Sequence, residues 1–302
     1  TAKRQEIQNN GGLTDEEKAA AIAKVDAAER DAKAAIKAAE SSADVAAKGE
    51  AGKAAIEAIK AIEDQAQSTK ALAKAEITQA EQDKKQEIEN NNQLTREEKN
   101  DAIRAVEAKA QDARNAIDAA QKLADVQTQV AQGKAAITAV PQTPAAKNAA
   151  KAAIQSAADA KKDQISKNNA LTAEEKAKAI KQVDNAVQAA KNAINAAGTD
   201  AKVAEEQGNG TNAIAGINPS PVAKPAAKAA VEQAAETKKA AIRSNAALTS
   251  DEKAEAERKV NEELAKAQQA INAAADDATV TSEQGKGTTA ISGVAETPVA
   301  RP

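Results

Sequence analysis

The chain contains no Cys, Met, His, Trp, Tyr or Phe. Without Cys it forms neither a disulfide nor a thiolate metal site. Without His it lacks the side chain best suited to proton transfer near neutral pH. Without aromatics it lacks most of the residues that dominate binding hot spots. No apolar run approaches the ~20 residues of a membrane-spanning helix, and no stretch reads as a signal peptide. A net charge of −3 and a pI near 5.5 give no electrostatic footprint for nucleic acid. Only Ala, Val, Ile and Leu remain to build a core, and because Ala buries little area that core must be thin.

What the chain has is repetition. The stretch NNALTAEEK at residues 168–176 has close copies at 10–18, 91–99 and 245–253. Its leucine recurs as Leu13, Leu94, Leu171 and Leu248, so successive copies lie 81, 77 and 77 residues apart. Fixed-period self-similarity points to a repeat architecture rather than to two unrelated domains.

Each copy reads as the turn between two helices. Thr14, Thr95, Thr172 and Thr249 stand three residues before Glu17, Glu98, Glu175 and Glu252, the spacing at which a capping hydroxyl and a carboxylate satisfy each other's free amides. Asn10, Asn91, Asn168 and Asn245 precede the leucines by three, where a helix must end; Asn there is expected to take the left-handed conformation of a C-terminal cap.

The flanking sequence supplies three helices per copy. After the turn, helix B carries Ile22, Val25, Ala32 and Ile36, matched by Ile103, Val106, Ala113 and Ile117 and by Ile180, Val183, Ala190 and Ile194, one stripe at helical period. The fourth copy has Glu257 where the others have Ile, and it is therefore expected to be the least stable. Before the turn, helix A carries apolar pairs eleven residues apart, about three turns: Ile77 with Ile88, Ile154 with Ile165, Val231 with Ile242. A shorter helix C holds Val126, Gly133 and Ile137 and their equivalents; the missing side chain at Gly permits close helix contact.

The predicted fold is all-α, a tandem array of three-helix bundles of about 77 residues forming an elongated rod. The repeats are drawn at 1–59 (partial), 66–140, 144–217 and 221–294, with 295–302 as a tail into a following repeat, and the chain is read as a fragment of a longer protein. Pro141 and Pro144, then Pro219, Pro221 and Pro225, are expected to break the chain between repeats. The first junction has no Pro and four extra residues, which predicts one nearly continuous helix from C into A.

The candidates for chemistry are few. The adjacent acids Glu16 and Glu17, Glu97 and Glu98, Glu174 and Glu175, and Asp251 and Glu252 have no convergent His or Cys, and they suit the positive end of a helix. No enzymatic activity, cofactor or metal is expected. The basic pairs Lys84 and Lys85, Lys161 and Lys162, Lys238 and Lys239, with Lys3 and Arg4, are candidate contacts for an anionic polymer, or cations placed favourably near a helix C-terminus. Outward positions of helix B vary between copies, as in Ala23, Arg104, Lys181 and Arg258, while core and cap positions repeat. The fold is repeated, and a binding surface is not.

The run LTDEEK at 13, LTREEK at 94 and LTAEEK at 171, followed by V-D or V-E and A-I-x-A-A, resembles a family of helical repeats. These repeats occur in large cell-wall-anchored surface proteins of Gram-positive bacteria, staphylococcal matrix-binding and methicillin-resistance surface proteins among them. The fourth copy departs mildly with LTSDEK. The resemblance implies an extracellular repeat region, anchored to the wall through other parts of the protein, in adhesion and biofilm. The reading is therefore a stalk that projects a distal adhesive domain. The alternative is a low-affinity multivalent module for host matrix protein or anionic glycan. Neighbouring repeats are the expected partners, with no nucleic acid and no direct membrane insertion.

Overall fold

The structure, a computed structural model, describes residues 1–299. Among them are twelve α-helices, a single 3-10 turn and no strand. Of the expected tail, residues 300–302 lie outside the described residues. Cα proximity divides the chain into Thr1–Ala145 and Ala146–Pro302.

The first unit holds α1 (Ala2–Gln8), α2 (Asp15–Lys37) and α3 (Ser42–Glu57), then α4 (Thr69–Glu89), α5 (Arg96–Ala119) and α6 (Leu123–Thr138). The second holds α7 (Ala145–Ser166), α8 (Ala173–Ala196) and α9 (Asp200–Ala215), then α10 (Ala223–Ser244), α11 (Ser250–Ala273) and α12 (Asp277–Ser292). Strong helix formers fill these spans, and short polar caps start them: Ser41, Thr199 and Asp276 accept from the amides of Asp44, Lys202 and Thr279.

Each complete repeat packs its three helices around one small core. In the second repeat Ile77 and Ile88 of α4 meet Val106, Ala113 and Ile117 of α5 and Val126 and Ile137 of α6. The third and fourth repeats place the equivalent residues in the same way. The first repeat shows what helix A contributes. Its α1 has only seven residues, and Ile36 is 36% exposed where Ile117, Ile194 and Ile271 are fully covered.

The glycines of helix C set how near it lies to helix B. A Cβ at Gly133 would stand 2.6 Å from the Ala113 Cβ and 2.8 Å from the Ile77 Cδ1, and Gly210 and Gly287 meet Ala190 and Ala267 at 2.6 Å. The two helices touch backbone to methyl, a separation that any larger residue would increase.

Three expectations are corrected. The first junction is not a continuous helix: α3 ends at Glu57 and α4 starts at Thr69, with the 3-10 turn Gln65–Gln67 between them. Asp64 and Ser68 accept from the amides of Ala66 and Ala71, and these side-chain caps start new elements where a helix would have run through. The asparagines are not left-handed, since no described residue has a positive φ. Instead the Oδ1 atoms of Asn10, Asn91, Asn168 and Asn245 accept from the amide two residues on, at 2.9–3.1 Å, forming Asx turns. Pro225 does not break the chain but lies in the first turn of α10, where its missing N–H leaves no bond unmade. Glu257 sits at the edge of its core, as Ile22, Ile103 and Ile180 do, and its carboxylate takes two bonds from Arg243 at 2.9 and 3.0 Å.

Candidate functional site

The recurring turn is a constellation of polar residues present in every repeat. Its leucine is buried in all four copies. That anchors the turn to the core and aims the next four residues at helix ends. The Glu17, Glu98, Glu175 and Glu252 amides donate to the Thr14, Thr95, Thr172 and Thr249 hydroxyls at 3.2–3.3 Å. The Thr amides donate back to the Glu carboxylates at 2.7–3.0 Å, closing a capping box in each copy.

The lysine that ends the motif has a structural task the spacing did not reveal. Lys18, Lys99, Lys176 and Lys253 donate to the carbonyls of Gln8, Glu89, Ser166 and Arg243, at 2.7–2.9 Å. Each of these carbonyls belongs to the C-terminal end of helix A, so one turn caps both the helix that ends there and the helix that begins. The recurrence of a cation four residues after the Thr was the available signal.

The basic pairs are turned largely toward the protein itself. Lys3, Lys84 and Lys161 donate to Glu57, Thr138 and Ala215, the last carbonyls of α3, α6 and α9, at 3.1–3.2 Å. Lys238 instead pairs with Glu296 at 2.8 Å. Of the second members, Lys85 lies 3.0 Å from Glu81 and 2.8 Å from Glu107, Lys162 pairs with Asp184, and Lys239 is 3.5 Å from Glu236. Burial works upward on the Glu81 carboxyl, but donation from Arg114 and Lys85 outweighs it and holds the group below the usual range. An open groove of about 540 Å³ between α4 and α6 contains Glu76, Asp83, Lys84, Glu87 and Lys134, charges of both signs around no common point.

A second set of lysines went unnoticed in the sequence. Lys70, Lys147 and Lys224 recur at intervals of 77 residues, each within the first turn of helix A. All three are buried, Lys147 to 1% exposure. Their ammonium groups donate to Asp118, Asn195 and Asn272 at 2.6–2.7 Å, carbonyls in the last turn of helix B in the same repeat. The stem fills part of the small core while the head satisfies a helix end.

Taken together, these positions define an array of one structural module, a three-helix repeat whose recurring polar side chains hold helix ends in place. A family profile described as a domain of unknown function, DUF1542, matches residues 1–64, 69–144, 146–222 and 223–299, and the chain belongs to that family. The domain is known from Gram-positive surface proteins. Neither the curated proteins nor the solved structures contain a match. No helix among the described residues is long and apolar enough to cross a membrane.

Proposed function

We propose that the chain is a non-catalytic spacer in a cell-wall-anchored surface protein, setting the distance between the wall and an adhesive domain elsewhere in the same protein. The observation that carries this reading is the division of labour among side chains. Those that recur from copy to copy cap helices or fill cores. Exposed positions such as Ala23, Arg104, Lys181 and Arg258 change freely. A ligand site present in every repeat would repeat its exposed contacts as well. Membership of a domain family known from Gram-positive surface proteins supports the location.

The test is a display experiment on a Gram-positive cell. Two or four repeats are placed between a wall anchor and an outer epitope, and capture by antibody-coated beads is measured. A spacer predicts capture that rises with repeat number and is unchanged when Lys84, Lys85, Lys161, Lys162, Lys238 and Lys239 are replaced by Gln. Direct, salt-sensitive binding of the purified chain to matrix protein or an anionic polymer, lost in that Gln variant, would overturn the reading in favour of a multivalent binding module.

A further inference from the structure

The acidic residues of the turn carry bonds that helix capping does not account for. In the first unit Glu16 accepts from the amide of Leu123 at 3.0 Å, and Glu17 from that of Thr69 at 3.1 Å. These amides open α6 and α4, two helices of the following repeat. The second unit repeats the arrangement. Glu174 accepts from Asp277, which opens α12, at 3.0 Å, and Glu175 from Val222 at 2.7 Å, beside the start of α10. Two backbone bonds of the same kind join the Asp15 amide to the Gln121 carbonyl at 2.7 Å and Ala173 to Ala275 at 2.8 Å.

The buried lysines cross the same boundary in the other direction. Besides the end of its own helix B, Lys70 donates to the Gly11 carbonyl at 2.9 Å, and Lys224 to the Asn169 carbonyl at 2.7 Å. Both carbonyls belong to the turn of the preceding repeat. Thus the turn offers carboxylates to the free N–H groups of two incoming helices and receives an ammonium on its own backbone. Unmade, the bonds to the turn would leave the buried Lys70 and Lys224 each short of one carbonyl, the costly outcome for a charge out of water, whereas the bonds from Leu123, Asp277 and Val222 lie at exposed helix starts. Thr14 and Thr172 are buried, whereas Thr249, at the same place in the fourth turn, is exposed. In the fourth turn Glu252 accepts from the amide of Val299, the counterpart of Val222, at 2.9 Å.

We propose that the Leu-Thr-x-Glu-Glu turn is a receptor surface whose partner is the next repeat, gripped through the starts of its helices A and C and its buried lysine. The opening of repeat one is thereby coupled to that of repeat two, and the opening of repeat three to that of repeat four. The argument does not depend on the spacer reading, because it concerns only which segments open together.

Hydrogen exchange on the full chain, read segment by segment, tests it. Glu174→Ala keeps a strong helix former in α8 but removes the acceptor for α12. Exchange in the first turn of α12, 103 residues away, is expected to quicken roughly tenfold, the loss of one charge-assisted bond. Lys224→Met should quicken exchange in the preceding turn, residues 167–172, by a similar factor, while Lys224→Arg restores part of the protection. Asp251→Ala, the same change in the fourth turn, should act only near its own turn. If Glu174→Ala and Lys224→Met alter exchange only within the repeat that carries the substitution, the receptor role is wrong. Should Lys224→Met fail to fold, Glu174→Ala alone decides, since it sits on an exposed helix end.

Discussion

At the scale of single residues, this protein places charge where backbone groups lack partners. Lys70 and Lys224 are taken out of water, and burial pushes both below the ordinary lysine value. What keeps them inside is a pair of carbonyls apiece, two of them at the negative end of helix B. Glu175 shows the opposite sign: burial pushes its carboxyl up, yet amides from Thr172, Val222 and Ala223 together hold it below the usual range. Glu29 is the clearest case for titration. Bonds from Lys33 and then Arg4 lower its pKa from 4.5 to about 2, and Arg4 ties α1 to α2 through it. The folded state therefore holds fewer protons than the unfolded chain between these values. The stabilisation is complete above pH 4.5 and is lost as the pH falls toward about 2. A carboxyl NMR titration should find Glu29 well below the ordinary glutamate range, and Glu29→Gln should weaken the pH dependence of the protection factors in α1 across that window, with Asp26 still holding Arg4. Titration of Glu29 near 4.5 would mean that its bonds from Lys33 and Arg4 do not form.

At the scale of elements, glycine and alanine decide how closely helices B and C approach. Gly133→Ala drives a methyl into Ala113 and Ile77 and should destabilise the second repeat by about 1–3 kcal/mol, the usual effect of overpacking a filled core. Gly208→Ala, in α9 with nothing near its Cβ position, should instead stabilise by about 0.5–1 kcal/mol through helix propensity alone. Thermal unfolding of the two variants reads the contrast directly, and equal effects would show that the close approach is not real. These elements were largely legible in the sequence. The helices follow from apolar spacing, and Ile77, Val106 and Ile117 lie in the core because a period of 3.6 leaves them on one face. What escaped were interactions without a local signature. The bond from Glu16 to Leu123 spans 107 residues, and no spacing rule reaches that far. The first junction failed for another reason: helix-forming residues were read through Asp64 and Ser68, whose side chains cap new elements more strongly than the segment favours continuing an old one.

At the scale of the whole molecule, the question is how a chain with so thin a core stays folded. Each repeat buries a few Ile, Val and Leu side chains amid alanine, and a small core leaves a domain marginal. In repeat proteins the remainder comes from interfaces between neighbours. The turn supplies such an interface between the first and second repeats and between the third and fourth. On the proposed spacer reading, repetition serves function and stability at once, since an added repeat lengthens the spacer and can brace its neighbour through the turn. Small-angle X-ray scattering on the purified chain tests this account most directly. Helices of about 24 residues at ~1.5 Å per residue give roughly 36 Å per repeat, so four repeats laid end to end predict a radius of gyration above about 30 Å. A value near ~19 Å, that of an ordinary compact chain of 302 residues, would mean that the repeats fold back on one another and would contradict the spacer.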